Sequence, residues 1–183
     1  MMPRLSASPW AVLAAGLLFY FSDGRDAAIL LPPILCHEAG HWLSMRLCGC
    51  RVTELRLELS GLCMRYSGAP GPAGLAVCAL AGPLAGLLYA AAAAPFGQAG
   101  ACSAGVSLLF SVFNLVPAPP LDGAQIAQAL LSERAASVLG LVCAGALFVA
   151  GVCLLAAGRG AGLALAGAFL LLRQSSSSAI LPD

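Results

Sequence analysis

Six apolar stretches dominate this chain, at about residues 7–21, 27–47, 72–95, 103–131, 135–157 and 161–172. A helix needs about 20 apolar residues to cross the hydrocarbon core of a bilayer. The four central stretches meet that length, whereas the first and last are short and suit tilted or partial spans. Charge settles the solvent. Only 9% of the 183 residues are charged and 60% are hydrophobic, against about 25% charged in an ordinary soluble domain. So few charges cannot cover a water-facing surface, which excludes a soluble secreted enzyme. The formal net charge is +1 with every basic residue an arginine, so there is no basic field for nucleic acid. The expected fold is an all-α integral membrane protein. It is a bundle of about six transmembrane helices forming one domain over residues 1–175, with a short tail at 176–183.

The first stretch has the outline of a signal peptide, with Arg4 before an apolar run. No A-x-A-like cleavage site follows it, so it reads as a retained span. The third contains Gly82-Pro83-Leu84-Ala85-Gly86, small residues that let helices approach closely. Between the second and third stretches the pattern changes. Glu54, Arg56 and Glu58 alternate with Leu55, Leu57 and Leu59, the period of a half-buried strand. Ser60-Gly61 offers a turn and Leu62–Tyr66 a returning strand, so a short β-hairpin is expected after the second span. Arg173–Asp183, with four consecutive serines, reads as a disordered end. Seven arginines (4, 46, 51, 56, 65, 134 and 173) fall on one side of a six-span topology and two (25 and 159) on the other. The positive-inside bias then makes both termini cytoplasmic.

Eight cysteines are present. Most lie in apolar runs, where they read as small packing residues rather than a disulfide framework. Cys48-Gly49-Cys50 offers a weak second metal motif.

The second stretch holds Cys36-His37-Glu38-Ala39-Gly40-His41-Trp42. Residues four apart share a helix face, so His37 and His41 can reach one zinc ion. Glu38 can take a proton from the attacking water. These are the only histidines in the chain. The alternative is a pair of histidines that merely hydrogen-bond inside the bundle, but ionisable groups in a span are costly and usually functional. A catalytic zinc takes a third protein ligand. Most acidic residues sit in loops, in the hairpin or at a terminus; Asp122, within the fourth stretch, is the exception. The run Asn114-Leu115-Val116-Pro117-Ala118-Pro119-Pro120-Leu121-Asp122-Gly123 must break that helix. Broken backbone at membrane depth is tolerated beside protein or a water-filled cavity. Asp122 reads as the N-cap of a new helix. His37 lies nine residues before Arg46 and Asp122 twelve before Arg134. Both therefore fall roughly 14–18 Å inside the same membrane edge.

H-E-A-G-H in an early span and F-N-L-V-P-A-P-P-L-D-G in a later one resemble the site-2 proteases, the M50 family of intramembrane metalloproteases. The short six-span form is most similar to the stage IV sporulation protein FB group. The resemblance covers about residues 27–132. It implies one zinc per chain held by His37, His41 and Asp122, with Glu38 as catalytic base and Asn114 as a polar group near the substrate or the oxyanion. It also implies a membrane-tethered protein substrate, such as a regulatory factor, bound as a strand along the hairpin, with the active site reached from the cytoplasm. Relatives often carry a polar residue where Gly86 stands. No PDZ insertion fits between the motifs and no cytoplasmic CBS domain follows, so nucleotide-linked regulation is not expected. Two rivals share the motif: a metal transporter or sensor that uses the same ligands without a general base, and an inactive relative that only binds membrane clients. Substrate identity and oligomeric state stay open.

Overall fold

The computed structural model describes residues 4–9, 16, 20, 24–58, 61–68 and 70–178. The first predicted span, about 7–21, lies almost wholly outside the described residues, as do the hairpin turn at 59–60 and the last five residues. Three strands and six helices follow in the order β1 (Arg4–Ala7), α1 (Gly24–Leu47), β2 (Arg51–Glu58), β3 (Gly61–Ser67), α2 (Pro72–Ala93), α3 (Gly97–Asn114), α4 (Asp122–Leu130), α5 (Glu133–Ala156) and α6 (Gly162–Ser178). The chain forms two compact units, residues 1–113 and 114–183.

In the first unit the expected hairpin is present. β2 and β3 pair antiparallel, with an irregularity between Val52 and Glu54. The sheet is larger than expected, because β1 adds to β2 in parallel with Arg4 opposite Glu54. Ser6 Oγ donates to the Glu54 carboxylate at 2.9 Å, and Arg65 lies 3.8 Å from the same group. Glu54 therefore ties together all three strands.

Helix α1 contains Pro32 and Pro33. A proline at position 33 cannot donate to the carbonyl four residues earlier, which is that of Ile29. Ser103 Oγ of α3 donates to that oxygen at 2.8 Å, so a neighbouring helix restores the missing bond. Ser103, Ser107 and Ser111 recur at four-residue spacing and are all buried, which makes one polar face on α3. Ser103 also pairs with the Tyr89 hydroxyl at 2.8 Å, and Ser107 donates to the Gly86 carbonyl at 2.8 Å.

In the second unit α5 and α6 pack through glycines. A Cβ on Gly151 would meet the Ala164 nitrogen at 2.2 Å, and one on Gly167 the Phe148 backbone at 2.5 Å. The Gln174 side-chain amide donates to the Ser137 carbonyl at 3.0 Å and to its hydroxyl at 3.2 Å. Helix α6 runs on through Ser178, so Arg173–Ser178 is helical and not the start of a disordered end. The Ser175 hydroxyl donates to the carbonyls of Leu171 and Leu172, which lets a serine continue the helix.

Among the described residues two helices are long and apolar enough to cross a membrane, Pro72–Ala93 and Glu133–Ala156. At 1.5 Å per residue they are about 33 and 36 Å long. Their outer faces carry exposed Val77, Leu84 and Leu88 on α2 and exposed Val138, Val142 and Val149 on α5. Apolar surface of this extent fits lipid contact. Helix α1 is as long but carries the ionisable motif, and the fourth apolar stretch is two helices, α3 and α4, separated by residues 115–121.

Candidate metal and catalytic site

The first unit carries both histidines. One face of α1 presents His37, Gly40, His41 and Ser44, and this face packs on α2. Gly40 allows the approach: a Cβ there would meet the Ala81 carbonyl oxygen at 2.5 Å. Gly82 of α2 allows the return contact, since its Cβ would stand 2.1 Å from Nε2 of His41. The imidazole of His41 thus occupies the space that any other residue at 82 would fill.

His41 Nδ1 lies 2.8 Å from the Cys78 carbonyl oxygen. A carbonyl only accepts, so Nδ1 carries the proton and Nε2 keeps its lone pair. That lone pair faces His37 Nε2 at 3.1 Å. Both rings are buried and meet edge to face with centroids 4.8 Å apart. The ring of Phe110 on α3 closes over His37 at 4.8 Å.

This donor set fits a divalent cation. Two nitrogens each about 2.0–2.1 Å from a tetrahedral zinc stand about 3.3 Å apart, close to the observed spacing. The hydrogen bond from His41 Nδ1–H to a backbone oxygen is the arrangement that orients a metal-binding imidazole and raises its basicity. Glu38, half-buried, follows the first of these histidines on the same helix.

The second unit positions Asp122. It is largely buried and is the first residue of α4. The N-cap is Leu121, in extended conformation, with no side-chain cap. The expected capping role for Asp122 is therefore incorrect by one residue. Its carboxylate still sits in the first helical turn, where the helix dipole favours negative charge. Residues 115–121 fold against the start of α4. A Cβ on Gly123 would meet the Leu115 and Val116 carbonyl oxygens at 2.2 and 2.5 Å, and one on Gly140 of α5 would meet the Pro117 oxygen at 2.7 Å. The segment is further closed by bonds from Ala118 N to the Val116 oxygen and from Leu121 N to the Ala118 oxygen. Asn114, half-buried, is the last residue of α3.

Sequence reasoning missed three contributors: Cys78, whose backbone fixes the His41 tautomer; Gly82, which makes room for the ring; and Phe110, which covers His37. Only Gly82 left a signal, in the Gly-Pro motif of small residues.

Comparison with known proteins follows the same lines. Residues 98–158 match the model of peptidase family M50. Rip3 of Mycobacterium tuberculosis, a protein named as a zinc metalloprotease, is 30% identical over 135 residues in each of two strains, covering 64% of this chain. This chain spans about a third of the length of those relatives, 34%. The site-2 protease from Methanocaldococcus jannaschii superposes with a TM-score of 0.65 at 20% identity, covering 94% of this chain and 87% of that one. At that identity the likeness is one of fold. The family match and the curated relatives together support peptidase family M50, and the fold is that of a site-2 protease.

Proposed function

We propose that this chain is a zinc-dependent intramembrane endopeptidase that hydrolyses a peptide bond of a membrane-tethered protein. The observation that carries this reading is the pair of buried imidazoles with facing Nε2 atoms, one held in its metal-binding tautomer by a backbone oxygen, in a helix that also bears Glu38. His37 and His41 supply two ligands. Asp122 supplies the third, a role supported by its burial, its place at the proline-broken helix start and the resemblance of its motif.

Zinc, when bound, acts as a Lewis acid that polarises the scissile carbonyl and makes water acidic enough to lose a proton near neutral pH. The Glu38 carboxylate accepts that proton as the water attacks and then passes it to the leaving amine. The Asn114 side-chain amide donates a hydrogen bond to the developing oxyanion. The substrate unwinds locally and adds as a strand to the edge of the β1–β3 sheet, where backbone hydrogen bonds hold it extended. The arginine bias puts both termini and the mouth of the site on the cytoplasmic side. The two motifs resemble those of the stage IV sporulation protein FB type, and a regulatory factor such as a pro-sigma or anti-sigma protein suits such a protease as substrate.

Co-expression with candidate single-span proteins tests this. Glu38→Gln should lower cleavage by about 10²–10⁴-fold while zinc content stays at one per chain. Unchanged cleavage would overturn the mechanism. Zinc binding with no cleavage of any client in the wild type would favour a metal transporter or sensor instead.

A further inference from the structure

The buried stripe of α6 is apolar until its last turns. Ala164, Gly167 and Leu170 are buried, and one turn beyond Leu170 the stripe ends on Gln174, only 6% exposed. Packing alone does not call for an amide there, because burying one is costly unless it is hydrogen-bonded. The head of Gln174 reaches Ser137 of α5, where Nε2 donates to the carbonyl oxygen at 3.0 Å and to the hydroxyl at 3.2 Å. One turn along α5 from Ser137 is Gly140. A Cβ there would meet Oε1 and Nε2 of Gln174 at 3.1 and 3.3 Å and the Pro117 carbonyl oxygen at 2.7 Å. Three elements therefore converge on the space that Gly140 leaves open: α5, the end of α6 and the proline-rich segment before α4.

That segment has few means of fixing itself. Pro117, Pro119 and Pro120 have no N–H, and the amides of Ala118 and Leu121 are spent inside it, on the Val116 and Ala118 oxygens. It can offer a neighbouring helix its carbonyls but not those amides. Its seat on α5 is set by what lies against the carbonyls, which at Pro117 is the Gly140 opening beside the Gln174 head. The segment ends at Leu121, and Asp122 is the first residue of α4. Wherever the segment sits, the start of α4 sits with it.

We propose that Gln174 is a positioning residue for Asp122. Its amide ties α6 to α5 at Ser137, closes one side of the Gly140 opening and so holds Pro117, and with it the first turn of α4, in one place. A buried polar group with its bonds made fixes one arrangement, where an apolar side chain would tolerate several. The effect on metal rests on the reading of Asp122 as third ligand. Removing an outer support of a ligand lowers metal affinity about 10–100-fold, and the lower end suits a support that acts through the backbone.

The test uses the full chain in detergent and compares Gln174→Leu, similar in size but without donors, with Gly151→Ala, which loosens the same helix pair elsewhere. Zinc affinity is measured by competition with a chromogenic chelator, and hydrogen exchange at residues 115–123 by mass spectrometry on the metal-free protein. Gln174→Leu should bind zinc about tenfold more weakly and exchange faster at 115–123, while Gly151→Ala keeps wild-type values of both. Ser137→Ala, which keeps the carbonyl bond and loses the hydroxyl, should shift both in the same direction by less, and it decides the matter if Gln174→Leu does not fold. Wild-type exchange at 115–123 in the Gln174 and Ser137 variants overturns the clamp. Equal changes in Gly151→Ala overturn it too, because they reduce Gln174 to helix packing. Faster exchange with unchanged zinc affinity, where Asp122→Ala does lose zinc, overturns the coupling to the ligand. If Asp122→Ala itself keeps full zinc affinity, the ligand reading fails while the exchange measurement still decides the clamp.

Discussion

Both units pack their helices through glycines, but the glycines admit different things. In the first unit Gly82 makes room for the His41 imidazole and Gly86 for the Ser111 hydroxyl. In the second, Gly151 and Gly167 make room for the backbones of Ala164 and Phe148. Small residues let helices approach closely in both. Gly82 and Gly86 give their space to polar side chains, whereas Gly151 and Gly167, like Gly40 of the first unit against the Ala81 carbonyl, give theirs to main chain. A substitution at Gly82 should therefore act on chemistry before stability, and one at Gly151 on stability alone.

The largest effect should come from Gly82→Ala. The added methyl would stand 2.1 Å from Nε2 of His41, so the ring must leave its position. We expect zinc affinity to fall by about 100-fold, the upper end of the range for disturbing a ligand's support, with the helices intact by circular dichroism. Zinc titration of the purified variant checks it. Wild-type affinity would mean that the ring does not bind metal in this pose.

Gly123→Ala probes a case between the two kinds. Its neighbours are carbonyl oxygens of Leu115 and Val116, as in the second unit's scaffold contacts, yet it adjoins Asp122. If Asp122 is a ligand, this backbone contact should behave like a chemical one, lowering zinc affinity about tenfold as the start of α4 shifts. A loss of stability with unchanged zinc affinity would count against Asp122 as third ligand.

For Gly151→Ala the expectation is purely structural. A Cβ 2.2 Å from the Ala164 nitrogen forces α5 and α6 apart, at a cost of about 1–3 kcal/mol. Unfolding in a sodium dodecyl sulfate titration should shift accordingly while zinc stays at one per chain. Loss of zinc here would erase the distinction between Gly82 and Gly151.

How much of this was legible beforehand follows from the range of each contact. The spacing of His37 and His41 is local, and helical geometry alone brings them together. The break before Asp122 is local too, because prolines cannot continue a helix. The N-cap shifted by one residue, to Leu121, because extended backbone there begins the helix without help from a side chain. Strand β1 left no pattern: four residues, Arg4–Ala7, gain their structure only by pairing with a segment about 50 residues away. Cys78 contributes a carbonyl, which every residue has, so no side-chain motif marks it. The helical run through Ser178 hid behind serines that read as tail but, at Ser175, bond back to their own helix.

The smallest expected effect has the opposite sign. Ser111 is fully buried, its Oγ stands 2.2 Å from where a Cβ on Gly86 would be, and it has no hydrogen-bond partner among the described residues. Its neighbours on the same face, Ser103 and Ser107, both donate to carbonyls of facing helices. A buried hydroxyl without a partner costs about 1–3 kcal/mol, whereas a satisfied one contributes about 1 kcal/mol. Ser107→Ala should therefore destabilise, and Ser111→Ala should stabilise, by about 1 kcal/mol each, measured in the same detergent titration. The pair separates two accounts of the serine face. If both variants lose stability, Ser111 is satisfied like its neighbours and the face is a uniform polar seam. If only Ser107→Ala does, Gly86 admits a hydroxyl that the fold would be more stable without.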